Sequence, residues 1–262
     1  MCLKGVDLSL AWVSWPLARS WNCDWLTALG LHDCSLDVFQ GIRPRGHGRR
    51  LRWLIRLLGG LPNLAALDLG DNYLADNLGC ILAAARRPLE RLRLACCDFT
   101  DSDVDSLVSS CHMASLRELD TESCTSGLHG DAETMSRRLL RGFRSCASLR
   151  SFHFTNNSLS DAAELCAALE SHCWPLLECL DVSVNPIPAS EVTRLVSAAL
   201  GSCRHARRLC LPMLAVGGGV GAVVEAVAEA QRPDLSVKNF PGDQTIVVFD
   251  AANTALEIPF FR

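Results

Sequence analysis

The sequence predicts an α/β solenoid of about eight repeats, with parallel strands on its concave face and helices on its convex face. Two observations carry this. An apolar spacing of the form LxxLxLxxN returns along the chain, most cleanly as Leu64, Leu67, Leu69 and Asn72 with Leu74 following. Between its copies the hydrophobic period changes from 2 to 3.6, so each copy reads as a short strand followed by a helix.

Frames start at Leu3, Leu26, Leu64, Leu89, Leu116, Leu149, Leu177 and Ala206. Their second and third apolar positions hold Val6/Leu8, Leu29/Leu31, Leu67/Leu69, Leu92/Leu94, Leu119/Thr121, Phe152/Phe154, Leu180/Val182 and Leu209/Leu211. The ninth position is the sharper test. It asks for Asn or Cys, whose side chain sits buried while bonding loop backbone that is otherwise unpaired. It holds Cys34, Asn72, Cys97, Cys124, Asn157 and Asn185, and departs only in the end frames at Ala11 and Leu214. This is the leucine-rich repeat.

The helices follow from the same reading. After Thr100, a predicted N-cap, Val104, Leu107, Val108 and Cys111 share one face; Ser160 and Ser190 are read as the caps of two later helices. Strands stacked about 4.8 Å apart with wider helices outside make the array curve into a horseshoe. Two insertions lengthen the period, Ile42 to Trp53 and Gly127 to Asp131, and both are expected as loops. The repeats are expected over residues 1–216 as one continuous domain, and residues 217–262 as a last helix (Ala222–Ala230) and a cap with strand-like Thr245–Phe249 and Leu256–Phe261. Gly217–Gly221 reads as a flexible link. Trp12, Trp15, Trp21 and Trp25 crowd the front and read as core filling of a terminal repeat. A sharper reading has some of these rings packing against an N-terminal region of a longer protein.

Net charge is −4, which argues against a general nucleic-acid binder. The 14 Cys do not read as a disulfide framework. Cys34, Cys97 and Cys124 fill the motif slot, while Cys80, Cys111, Cys166 and Cys203 fall on apolar helix faces, where a thiol acts as a small hydrophobe. Such thiols imply a reducing compartment, and no signal or membrane-spanning segment is read, so a cytoplasmic or nuclear protein is expected.

No catalytic motif, metal-ligand spacing or phosphate loop is found, and no cofactor is implied. The concave face carries the information. Its middle outward positions run Gly30, Asp68, Arg93, Asp120, His153, Asp181 and Cys210, alternating in sign, and Arg91, Glu118 and Glu122 flank them. We expect Asp68, Arg91, Arg93, Glu118, Asp120, Glu122, His153 and Asp181 to be exposed and to form a polar groove suited to a protein segment. Arg43, Arg45, Arg49, Arg50, Arg52 and Arg56 fit an acidic partner or RNA, but Leu51, Leu54, Ile55 and Leu58 at helical spacing make half of them the solvated face of a helix.

The repeat length, near 28 residues with full helices, is similar to the ribonuclease-inhibitor-like type. Segments such as Pro88-Leu-Glu-Arg-Leu-Arg-Leu-Ala-Cys-Cys97, Ala114-Ser-Leu-Arg-Glu-Leu-Asp120 and Cys146-Ala-Ser-Leu-Arg-Ser-Phe152 resemble intracellular vertebrate leucine-rich-repeat proteins of the PRAME type. That resemblance implies the substrate-recognition part of a cullin-type ubiquitin ligase, joined to elongin B/C and a cullin through a region not in this chain. A stand-alone scaffold, an inhibitor or an NLR-type sensing region is the alternative.

Overall fold

In a computed structural model of the chain, the described residues are 2–4, 24–34, 36, 47–74, 76–125, 131–212, 219–240 and 245–250. They fall into two compact units, residues 1–130 and 131–262, divided at the second insertion.

The first unit alternates strand and helix. Its strands are β1 (Cys2–Lys4), β2 (Ala28–His32), β3 (Ala66–Asp68), β4 (Arg91–Arg93) and β5 (Glu118–Asp120), all parallel and neighbours in chain order. Its helices are α1 (His47–Gly59), α2 (Leu78–Ala84) and α3 (Asp101–Val108). Register follows the motif, because Leu29, Leu67, Leu92 and Leu119 stand opposite one another. All four are buried, forming one apolar row across the sheet.

The second unit opens with α4 (Ala132–Phe143), then β6 (Ser151–His153), α5 (Ala163–Glu170), β7 (Cys179–Asp181), α6 (Ala189–Ser202) and β8 (Arg208–Pro212). β6, β7 and β8 are parallel, with Phe152, Leu180 and Leu209 in register. Then come α7 (Gly219–Glu229), β9 (Leu235–Phe240) and β10 (Thr245–Asp250), where β10 runs antiparallel to β8 and β9 antiparallel to β10. Phe143, Phe152 and Trp174 pack edge to face at 5.4 and 5.5 Å, and Trp174 Nε1 donates to Phe143 O at 2.8 Å. The indole thereby satisfies its one donor inside an apolar core.

The motif slot ties each repeat to the one before it. Asn72 Oδ1 accepts from Cys34 N and Leu36 N at 3.1 Å each, while its Nδ2 donates to Leu31 O at 2.7 Å and Leu69 O at 2.9 Å. Asn185 repeats the pattern, accepting from Asn157 N (2.9 Å) and Leu159 N (3.2 Å) and donating to Phe154 O (2.8 Å). The cysteines keep its donor half. Cys97 Sγ donates to Leu69 O at 3.2 Å and Cys124 Sγ to Leu94 O at 2.7 Å. In all four cases the acceptor is the third apolar residue of the preceding repeat. The residue just before the slot turns the chain through left-handed backbone: Asp33, Asp71, Cys96, Ser123, Asn156 and Val184 all have φ between 51° and 59°. Five of them are types that visit this region or are small, whereas Val184 is β-branched and strained there.

Thr100 caps α3 as expected, in a capping box with Asp103. The buried Asp103 carboxylate also accepts from Asp76 N (2.9 Å) and Leu78 N (3.1 Å), fixing the start of α2 from the next repeat.

Several expectations need correction. β1 pairs Leu3 with Leu31, so Leu3 stands opposite a third apolar position, and the frame proposed to start there is displaced by the length of the motif's first turn; Val6, Leu8 and Ala11 lie outside the described residues. Ser160 does not cap α5. Its hydroxyl bonds Glu133, and Asp161 Oδ1 instead accepts from Ala163 N at 2.9 Å. Pro188, extended at φ −64°, precedes α6, which places Ser190 inside the helix. Cys80 and Cys111 are exposed, because Ile81 and Leu82 occupy the buried face of α2 and α3 ends at Val108. Trp25 is 69% exposed, not core; Trp12, Trp15 and Trp21 lie outside the described residues. Gly219–Gly221 begin α7 instead of forming a link, and β9 was not foreseen because Leu235–Phe240 mixes polar and apolar residues without strict alternation. Arg43, Arg45 and Leu256–Phe261 lie outside the described residues.

Candidate functional site

The motif puts apolar side chains on the core side of each strand, so the residues between them fall on the opposite face. In the first unit this strand face holds Gly30, Asp68, Arg93 and Asp120 in one row, and Ala28, Ala66, Arg91 and Glu118 in the next. Arg93 bridges its two neighbours, with Nε 3.1 Å from Asp120 Oδ2 and Nη1 3.9 Å from Asp68 Oδ2. Both acids do more than pair. Asp68 Oδ1 accepts from Gly70 N at 2.8 Å and Asp120 Oδ1 from Glu122 N at 3.0 Å, closing the ends of their own strands. Asp181 does the same for Ser183 N in the second unit, at 3.1 Å.

These contacts correct the expectation that the ladder is exposed. Asp68 and Asp120 are 3% and 6% exposed. A short carboxylate folded back onto its own backbone is covered by its neighbours, whereas Arg93 reaches past them and Arg91, Glu118 and Glu122 stay half-buried. Burial pushes the Asp68 carboxyl above its ordinary value, against the downward pull of the Gly70 N–H, Arg93 and His32. His32 was missed in the sequence, because it lies beyond the third apolar position. Its Nε2 contacts Asp71 Oδ2 at 2.7 Å. Gly70 makes room for that ring, since a Cβ there would stand 2.7 Å from His32 Nδ1.

In the second unit the strand face holds Ser151, Cys179 and Arg208 beside His153, Asp181 and Cys210. Ser151 Oγ lies 3.0 Å from His153 Nε2, and His153 Nδ1 lies 3.8 Å from Asp181 Oδ2. Burial raises the Asp181 carboxyl, but hydrogen bonds from His153 and Ser183 and the charge of His153 outweigh it and leave the group lowered. Arg208 Nε donates to Cys210 Sγ at 3.2 Å. Burial pushes the Cys210 thiol up to about 12 and raises Cys179 further, so both are protonated thiols at neutral pH, not nucleophiles.

The structure thus brings together Asp68, Arg91, Arg93, Glu118, Asp120 and Glu122 on one unit, and His153 and Asp181 on the other. Cys34, Asn72, Cys97, Cys124, Asn157 and Asn185 are buried in their structural slots. Among the described residues no group of His, Cys, Asp and Glu is arranged to hold a metal ion, and no helix is long and apolar enough to cross a membrane. Each unit by itself offers charged and hydrogen-bonding groups on its strand face.

No family model matches the sequence. Over 201 residues, 74% of this chain, it is 31% identical to leucine-rich repeat-containing protein 14 of Rattus norvegicus and to that of Mus musculus. Over 63 residues, 24% of this chain, it is 44% identical to leucine-rich repeat-containing protein 14 of Xenopus laevis. The chain spans 39% of the length of the rat and mouse proteins and 12% of the frog protein in these matches. Repeat, register, slot bonding and relatives agree, and the chain belongs to the leucine-rich-repeat proteins, with an α/β fold and a protein-interaction module.

Proposed function

We propose that the strand face receives a protein segment, and that the chain serves as the substrate-recognition part of a cullin-type ubiquitin ligase that engages elongin B/C through a region not in this chain. The observation that carries the binding reading is Arg93 held between Asp68 and Asp120, beside half-buried Arg91, Glu118 and Glu122. Fixed charges of both signs select a partner by matching its pattern and rejecting mismatches. The similarity to leucine-rich repeat-containing protein 14 is consistent with the PRAME-type resemblance, and that resemblance supports the ligase reading.

The test is recovery of partners on the tagged full-length protein from cells. The ligase reading expects elongin B, elongin C and a cullin to be recovered with wild type and with Arg91→Glu alike, while Arg91→Glu loses other bound proteins. Absence of elongin from both leaves the strand face as the binding surface of a stand-alone scaffold.

A further inference from the structure

The helix sides of the two units treat arginine differently. In the second unit, arginines on or just after α4 meet carboxylates on α4 itself, on the next helix or just before that helix. Arg137 bonds Glu133 and Asp161, Arg141 Nε lies 2.7 Å from Glu164, and Arg144 Nη2 lies 2.8 Å from the same carboxylate. In the first unit Arg52 and Arg56 are exposed on α1, Arg86 is exposed just beyond α2, and none of the three has a carboxylate partner among the described residues. α2 reads LGCILAA and offers no charge. Between Asp37 and Asp68 the sequence contains six Arg and no acidic residue.

Arg52 and Arg56 are one turn apart on α1, about 6 Å along its axis at ~1.5 Å per residue. A Cβ on Gly59, at the end of α1, would stand 4.0 Å from Ala84 O, at the end of α2, so the two helix ends abut, with exposed Arg56 one turn before the first end and exposed Arg86 two residues beyond the second. Like charges one turn apart disfavour the helix, and unlike those of the second unit these are not neutralised.

We propose that Arg52, Arg56 and Arg86 form a second docking surface, on the helix side of the first unit, for an acidic protein segment. The planar guanidinium matches a carboxylate in two-pronged fashion, and two forks one helical turn apart, with a third beyond the neighbouring helix, fit Asp and Glu side chains along a peptide segment. An acidic peptide is favoured over nucleic acid because a short run of carboxylates can be confined to the patch, whereas the dense polymer charge of nucleic acid extends past it and meets a chain whose net charge is −4.

The experiment measures fluorescence anisotropy of a short labelled peptide of alternating Glu and Asp, and of labelled oligouridine, against the full chain. Peptide binding that weakens about tenfold or more in Arg52→Glu/Arg56→Glu/Arg86→Glu, and that is unchanged in Arg141→Glu/Arg144→Glu, supports the surface. The corresponding triple Gln variant removes charge without adding repulsion and is expected to weaken binding as well, and circular dichroism melts show that each variant is folded. Three results overturn the proposal: no peptide binding by wild type, equal loss in the second-unit variant, or tighter binding of oligouridine than of the peptide.

Discussion

Asn185 lends its side-chain amide to the repeat before its own: Oδ1 accepts from Asn157 N at 2.9 Å, one motif slot reading the backbone of the slot before it. The side chain is 4% exposed, so water does not replace what it supplies. A loop that exposes strand-end N–H and C=O groups to the core is viable only with such a bridge.

Removing the amide by Asn185→Ala is expected to cost about 1 to 3 kcal/mol, the range for leaving buried backbone groups unpaired. Asn185→Cys is expected to cost less than the Ala variant, because Cys97 and Cys124 show a thiol in this slot still donating to the third apolar carbonyl. Urea denaturation of the three proteins orders them directly.

Val184 holds φ 59° while 47% exposed, in the position that Asn156 fills one repeat earlier. Val184→Asn is expected to stabilise the protein by about 1 kcal/mol through relief of left-handed strain. An unchanged or lowered denaturation midpoint would contradict this.

His112 is buried, with Nδ1 accepting from Leu89 N at 3.1 Å and Nε2 facing Leu82 O at 3.0 Å, which fixes a neutral ring protonated on Nε2. Burial lowers its pKa below 6.5, although the Leu82 carbonyl pulls the other way. The unfolded chain therefore binds this proton at a higher pH than the folded one. Its contribution to stability is complete above the unfolded value and is lost as pH falls from about 6.5 toward the folded value. Melts at about pH 7.5 and 5 are expected to differ more for wild type than for His112→Gln.

Alkylation followed by mass spectrometry is expected to label Cys80, Cys96 and Cys111 in the native protein, since these are the exposed thiols among the described residues. Cys97, Cys124, Cys146 and Cys166 are buried and raised, and are expected to react only on unfolding. Native disulfides among them would overturn both this pattern and the expectation of a reducing compartment.

Strand register from Leu26 onward was legible because seven frames repeat the same apolar spacing and six of them carry Asn or Cys in the slot, so the frames check one another. Leu3 escaped that check, since only β2 stands beside β1 in the described residues. The site residues were legible as positions on a face but not in their burial. That Asp68, Asp120 and Asp181 fold back onto the N–H two residues on is a local backbone event, which hydrophobic spacing does not report. Thr100 was legible as a cap, but Ser160 was not, since its hydroxyl finds Glu133 on another helix at a sequence distance that no local pattern encodes.

If the strand face binds protein, reversing the charge of Arg91 disrupts that binding without disturbing the fold. Arg93→Glu would place a third carboxylate between buried Asp68 and Asp120 and lower stability, whereas Arg91 is half-buried and its reversal leaves the Arg93 bridges intact. The measurement is affinity capture from cell extract with wild type, Arg91→Glu and, as a helix-side control, Glu225→Arg on α7, with equal melting temperatures confirmed first. Arg91→Glu is expected to lose partners which wild type and Glu225→Arg retain. Identical partners for wild type and Arg91→Glu, with losses confined to Glu225→Arg, would contradict it.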